Sequence, residues 1–512
     1  MAYRYYKLIL RHVVNRPHWN LMQNIELSSN NVVCKPATKA LQQVANVPPF
    51  CFHARCYRVY NNTGQNKLYK HLKYSGYNNI NKLYYHTPPK ISPKQATKIL
   101  QLNESSHQFL DANEVVKGFH SNQLEANHPI EDRRAQARCK LTPGLLFGVF
   151  DGHAGPACAQ AVCQRLFEYI ALEILPFQEL KKTKIEMEKH KKLSLVDFYR
   201  HPNDYISQDS HDLFLESIHK YLLDNLSVDH MDDIDIQDCL EIAFDRLDKD
   251  LSSEAKKTTD SYLNEEALHI AISGACACVA YVRNSELYVA NTGDCRAVLG
   301  QIQNGTWSAV ALSEDHVQQN QKEVKRLKAA HPASEDISVL KNGRLLGELM
   351  PLRAFGDVRF KWTETEQRTI ISELNPGHVI PKYYKTPPYL IATPDICMHT
   401  ITKSDRFLIL ASDGLWEMIS PEKCVKLVGD FLQPQKMDDI EGLSLLQIQT
   451  RLKQHKETLI PVDDNVATHL IRYALCGSGN KFKHDKLSTS LTLPKEISRS
   501  YRDDITVTVV FF

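Results

Sequence analysis

The chain has 512 residues, 43% hydrophobic and 24% charged, an ordinary globular balance able to bury a sizeable core across about three domains by length alone. No run of 18 or more uncharged apolar residues occurs, which argues against a membrane-spanning helix. The net charge of +2 hides an asymmetry: residues 1–103 carry 15 Lys/Arg and one acid, Glu26, and the rest carries 47 basic and 59 acidic residues, so segments of +14 and −12 are joined.

The leader begins with Arg4, Lys7, Arg11 and Arg16 and no acid before Glu26. Tyr5 to Val14 alternates bulky apolar and basic groups, as in an amphipathic organellar presequence, and no unbroken apolar run marks a secretory signal. A disordered basic tail and a nucleic-acid-binding arm fit the same composition. Residues 1–86 read as a basic, weakly ordered leader. Thr87-Pro88-Pro89 and Ser92-Pro93 punctuate its end, and 87–114 reads as a linker in which Pro93 opens a helix burying Ala96, Ile99 and Leu100.

Residues 115–512 read as the globular body. Short apolar runs predict buried strands at Leu145–Phe150, Ala277–Val282, Leu287–Ala290, Phe407–Ala411 and Ile505–Phe512. Between the first two lies a helical tract in which Leu240, Phe244, Leu247 and Leu251 form one apolar face. A second helix is predicted from Ala467 to Leu475. Residues 181–235 and 433–465 are charged and less periodic and read as insertions, the second irregular region reaching about residue 502. Strands separated by helical tracts, with a hairpin signal at Asn304-Gly305, indicate a layered fold of helix and sheet with much antiparallel pairing. The 13 cysteines are scattered without a CxxC pair, so small buried hydrophobes in a reducing compartment are expected rather than a zinc site or disulfide scaffold. Cys276 and Cys278, one residue apart on a strand, should face the same side. The acidic stretch Asp229 to Glu241 lacks the glycine of a calcium-binding helix–loop–helix.

Several acids stand where an apolar run meets a turn. Asp151 follows Leu145–Phe150 and precedes Gly152-His153; Asp413 follows Phe407–Ser412; Asp503 precedes the last strand. Glu131-Asp132 lies before the first strand, and Asp294 sits in a turn after Leu287–Ala290. One Asp-Gly pair is usually only a turn. Converging carboxylates at the ends of buried strands, however, repel one another unless a cation intervenes. Oxygen donors suit Mg²⁺ or Mn²⁺, with the Gly152 carbonyl as a further ligand. Two such ions about 3.5–4 Å apart activate water for attack on a phosphate ester. His153, two residues from Asp151, is placed to protonate the departing alkoxide.

These residues form a pattern that resembles the type 2C metal-dependent protein-serine/threonine phosphatases. Phe150-Asp151-Gly152-His153-Ala154-Gly155, Thr292-Gly293-Asp294-Cys295-Arg296, Arg353-Ala354-Phe355-Gly356-Asp357, Ala411-Ser412-Asp413-Gly414-Leu415-Trp416 and Arg502-Asp503-Asp504-Ile505-Thr506-Val507 stand in that family's order. Glu131-Asp132, Ser273-Gly274 and Ser313-Glu314-Asp315-His316 extend the match over about 115–512. The resemblance implies an α+β, four-layer α-β-β-α sandwich, two antiparallel sheets flanked by helices, with a two-metal site at one end. It implies that Asp151 bridges the metals and acts in catalysis with His153, that Asp413 and Asp503 hold the first ion, and that Glu131 and the Gly152 carbonyl hold the second. Asp294, with Glu417 as a further candidate, lines a weaker third position. Family members often carry a phosphate-gripping arginine four residues before the glutamate. Here that substrate-binding position is Asn127, which implies a different grip.

The runs Ser121 to Leu124, Asn127 to Arg134, Tyr384 to Tyr389 and Asn465 to Arg472, with the linker Ser92 to Leu100, resemble the pyruvate dehydrogenase phosphatase branch of the family. That likeness implies a mitochondrial matrix enzyme acting on the phosphorylated pyruvate dehydrogenase α subunit. It also implies docking to the lipoyl domain of dihydrolipoamide acetyltransferase, with room for a regulatory subunit. Competing readings are a type 2C phosphatase with a cytosolic or nuclear substrate, a catalytically dead scaffold of the same fold, and a nucleic-acid binder. The scaffold sits poorly with a complete set of acids, and no aromatic-basic motif supports nucleic acid.

Overall fold

The computed structural model of the chain describes residues 90–111, 114–190, 194–205, 211–227, 235–259, 262–372, 377–432, 463–476 and 483–512. The leader at 1–86 and most of 433–465 lie outside the described residues.

Two sheets form the centre. In chain order their strands are β1 (Ser105–Gln108), β2 (Gly118–Leu124), β3 (Arg133–Cys139), β4 (Leu145–His153), β5 (Val196–Phe198), β6 (Gly274–Arg283), β7 (Glu286–Thr292), β8 (Arg296–Gln303), β9 (Thr306–Ala311), β10 (Phe355–Gly356), β11 (Asp395–Thr400), β12 (Asp405–Ala411) and β13 (Ile505–Phe511). One sheet runs β1-β2-β13-β12-β8-β9; the other runs β11-β7-β6-β4-β3-β5, with β10 also paired to β6. Every pairing described within them is antiparallel. All five strands predicted from apolar runs are present, and Asn304-Gly305 joins β8 to β9.

Strand alternation divides the core into layers. Along β4, Phe147 and Val149 point between the sheets, where they meet Cys276, Cys278, Val289, Leu299, Leu408 and Val510. Leu146 and Phe150 point the other way, onto helices α2 (Ala157–Glu173), α4 (His211–Leu226) and α5 (Ile236–Glu254), through residues such as Ile170, Ile218, Phe244 and Leu247. The other sheet turns Phe407, Ile409, Val507 and Val509 outward onto α1 (Pro93–Leu100), α6 (Pro421–Leu432) and α7 (Val466–Cys476). The result is a four-layer α-β-β-α sandwich. Each fully buried Leu, Val or Phe contributes roughly 1.5–3 kcal/mol.

Ser92 and Gln95 cap α1 reciprocally, and Ala96 and Leu100 are buried; Ile99, expected with them, is only half-buried. The charged stretch 181–235 contains most of α3 (Phe177–His190), β5 and α4, whose Met187, Val196, Ile218, Tyr221 and Leu222 join the outer core. Lysines and glutamates on the opposite face dilute its periodicity. Among the described residues the cysteines are free thiols, and no helix is long and apolar enough to cross a membrane.

Candidate metal and catalytic site

The strand ends gather at one edge of the sandwich. Asp151 is still within β4, opposite Cys276 on β6, and His153 is the strand's last residue, opposite Gly274. Asp413 opens a short helix directly after β12, Asp503 stands two residues before β13, Asp294 lies in the turn between β7 and β8, and Glu131 lies two residues before β3. Carboxylate oxygens of Asp151, Asp294 and Asp413 all lie within 4.8 Å of one another. Glu417, one turn after Asp413, is exposed, and its charge acts on both Asp413 and Asp503.

The electrostatics are those of crowded acids. Burial, then the charges of Asp132, Asp413, Asp294 and Asp503, hold the Asp151 carboxyl well above the usual range. Burial raises Asp413 in the same way, reinforced by Asp294 and Asp503. Burial lifts Asp503 to about 6 against the opposing charge of Arg499, and burial raises Glu131 and Asp294 too. Asp413 Oδ1 is buried and has no hydrogen-bond partner. An all-oxygen donor set with an orphaned carboxylate oxygen fits a hard divalent cation such as Mg²⁺ or Mn²⁺.

Neighbouring residues aim these donors. Glu131 accepts from the Gly155 N–H at 2.7 Å, which ties it to the turn after Asp151. Asp504 accepts from the backbone of Ala126 (2.5 Å), Asn127 (2.8 Å) and Glu131 (2.7 Å) and from Asn127 Nδ2 (3.1 Å), so it holds the loop that presents Glu131. Asn127 therefore gives part of its amide to Asp504. Ser412 Oγ donates to buried Asp132 at 2.7 Å and accepts from the Thr506 N–H at 3.0 Å. Gly414 lets this turn approach β13 closely, since a Cβ there would meet the Asp504 carbonyl at 2.0 Å.

His153 Nε2 lies 2.5 Å from Asp357 Oδ2. Asp357 is buried and in the left-handed region at φ 50°. Its loop is fixed by Asp248, which accepts from the Gly356 N–H at 2.9 Å and from Lys361 Nζ at 2.7 Å. Burial disfavours the imidazolium, but the charge and hydrogen bond of Asp357, helped by Asp294 and Glu131, outweigh it and raise the His153 pKa. Gly274 makes room for the pair: a Cβ there would lie 2.1 Å from His153 Nε2 and 2.3 Å from Asp357 Oδ2. Sequence reasoning gave no role to Asp357, Asp504 or Arg499. For Asp504 the available signal was its place beside Asp503 at the mouth of a strand.

The family model described as Protein phosphatase 2C matches residues 186–456. The human protein named pyruvate dehydrogenase (acetyl-transferring) phosphatase 1, mitochondrial, is 45% identical over 458 residues, covering 84% of this chain and 85% of that protein. The human phosphatase 2 of the same name is 42% identical, covering 82% and 83%. A Saccharomyces cerevisiae protein named as a phosphatase 1 of this kind is 30% identical, covering 80% and 71%. With its carboxylate cluster, its two-sheet sandwich and this likeness over most of its length, the chain belongs to the protein phosphatase 2C family of metal-dependent serine/threonine phosphatases.

Proposed function

We propose that this phosphatase hydrolyses phosphoserine on the α subunit of pyruvate dehydrogenase in the mitochondrial matrix and so reactivates the pyruvate dehydrogenase complex. The names of the relatives and the span of the likeness support the substrate and the mitochondrial address. The acid-free start of the leader supports import. The observation that carries the chemistry is the packing of Asp151, Asp294 and Asp413 oxygens within 4.8 Å of one another, beside the His153–Asp357 pair.

In this reading Asp151, the Gly152 carbonyl, Glu131, Asp413 and Asp503 would hold two Mg²⁺ or Mn²⁺ ions, and Asp294 with Glu417 would line a third position. Such ions supply Lewis acidity and lower the pKa of water. The chain's own contribution to proton transfer is His153. Asp357 takes the Nε2 proton as a hydrogen bond and favours the charged ring, which leaves Nδ1 as the atom that holds the transferable proton. That proton goes to the serine alkoxide as it leaves. The Asp504 hydrogen bonds keep Glu131 in place against the repulsion of its neighbours.

Purified protein should release phosphate from phosphorylated pyruvate dehydrogenase with Mg²⁺ or Mn²⁺ and not with chelator. Turnover of generic phosphopeptides without turnover of this substrate would overturn the substrate assignment. Docking to the lipoyl domain is read as mainly apolar, because a body near −12 offers an acidic partner no broad attraction. Affinity should survive high salt, which screens exposed charge pairs; binding that collapses with salt would reject that mode.

A further inference from the structure

A phosphate monoester dianion entering this site faces a wall of carboxylates, and bound cations offset only part of that charge. Fixed positive charge at the mouth is therefore needed, and the described arginines near the acids are mostly committed. Arg296 makes a two-point pair with Asp315 at 2.9 and 2.6 Å. Arg133 donates to the carbonyls of Ile130 and Asp132 and to Gln160, and Arg502 donates to the carbonyls of Glu125 and Asp503. Asn127 is neutral, and its amide meets Asp504.

Arg499 differs. It follows the short helix Lys495–Ser498, which is tied to the Glu131 loop by a hydrogen bond from Ser498 Oγ to the Ala126 carbonyl. Its Nη1 meets Asp503 Oδ2, and its side chain is 54% exposed against 18% for Asp503, so it is the more solvent-exposed member of that pair. Among the described residues it is the arginine or lysine that forms an ion pair with a candidate metal ligand. Its charge is felt by Asp503, Asp413, Asp504, Asp151 and Glu131 together.

We propose that Arg499 grips the substrate phosphate: when Asp503 turns to a cation, the guanidinium exchanges that carboxylate for phosphoryl oxygens. A planar guanidinium offers parallel N–H donors to two oxygens of one phosphate, which a lysine cannot reproduce. The inference rests on the metal-dependent phosphatase reading of the site. It makes Arg499 an anion-binding residue rather than a support for Asp503.

The test uses the full chain at saturating Mn²⁺, with inorganic phosphate as the probe. Inhibition by phosphate and KM for a phosphoserine peptide are measured, and Mn²⁺ affinity is followed by calorimetry. R499A should weaken phosphate inhibition and raise KM by roughly 10- to 100-fold, the scale of a lost hydrogen-bonded charge. R499K should retain part of the effect. Mn²⁺ affinity should hold or tighten, since a competing cation has gone. The side chain is half exposed, so thermal unfolding should stay close to wild type. Phosphate inhibition unchanged within about two-fold, with Mn²⁺ affinity reduced, would reduce Arg499 to a positioning group for Asp503 and overturn the inference alone. Absence of Mn²⁺-dependent turnover in the wild-type chain would overturn the inference together with the reading it rests on.

Discussion

His153 Nε2 and Asp357 Oδ2 meet at 2.5 Å although 204 residues separate them in sequence. Asp357→Asn keeps the shape of the carboxyl and removes the charge that favours the imidazolium. Turnover of a phosphoserine peptide should fall roughly 100-fold or more, while p-nitrophenyl phosphate, whose leaving group hardly needs a proton, loses far less. His153→Ala should show the same selectivity. Equal losses on both substrates, in either variant, would mark the pair as structural.

Gly274→Ala tests the space around that pair. Its new methyl would collide with both members, at 2.1 and 2.3 Å. Overpacking of this kind costs roughly 1–3 kcal/mol. Urea unfolding should show that loss, and the peptide assay should show the leaving-group selectivity of the histidine variant. Normal turnover on both substrates would mean that the strand shifts without disturbing the dyad.

Asp151→Asn should abolish metal-dependent turnover and yet leave the fold standing. The wild-type carboxylate feels the charges of four other acids, so a neutral amide relieves repulsion in chelator. The melting temperature without metal should equal or exceed that of wild type. Added Mn²⁺ should stabilise wild type by about 2.7 kcal/mol at a hundred times its dissociation constant, and the variant hardly at all. Near-normal turnover with Mg²⁺ would remove Asp151 from the centre of the site.

Glu168 carries a separate pH prediction. It is buried on α2, accepts from the Leu195 N–H at 2.8 Å, and burial raises its carboxyl from 4.5 to about 7. The folded state thus holds this proton more tightly than the unfolded state. Its stabilising effect is full below about pH 4.5 and is lost as pH rises towards 7, a difference of roughly 2–4 kcal/mol at 1.36 kcal/mol per unit. Glu168→Gln keeps an acceptor for Leu195 and cannot ionise. Its stability relative to wild type should therefore climb over that window, and a constant difference across it would reject the buried-acid account.

Asp504→Ala should leave three backbone N–H groups of the Ala126–Glu131 loop without their acceptor. Stability should drop by at least about 2–3 kcal/mol. Calorimetry should also show weaker metal binding through Glu131. Retained affinity and stability would mean that solvent replaces the carboxylate.

Asp151, Asp413 and Asp503 stand out in the sequence as candidate ligands because each interrupts or borders an apolar run, and buried strands end where polarity begins. Strands β2 and β3 were not read from apolar runs, and their composition explains this. Gly118–Leu124 buries Ser121 and Asn122, which are satisfied by Thr508, Thr468 and the Leu100 carbonyl. Arg133–Cys139 likewise buries Arg134 and Gln136 within hydrogen-bonded networks. Local hydropathy cannot see partners supplied from hundreds of residues away. The role of Asp357 was hidden for the same reason, since Gly356 pairing with Gly274 brings it to the histidine. Asp294, assigned by resemblance to a weaker third position, falls within the same 4.8 Å cluster as Asp151 and Asp413. The neighbours Asp503 and Asp504, just before β13, have different partners: one meets Arg499, the other the Glu131 loop.

Strand β13 occupies the middle of its sheet, between β2 and β12. On the ribosome, β2 emerges nearly four hundred residues before the neighbour that completes its ladder, Ile505 opposite Leu124. Until then the edges of β2 and β12 that pair with β13 have no partner. A nascent chain of this order closes its sheet late, through contacts of high sequence separation, which makes it slow to mature and exposed to wrong pairing meanwhile. Premature termination before residue 505 would remove the central seam of the sheet, and with it both Asp503 and Asp504 if it fell only a few codons earlier.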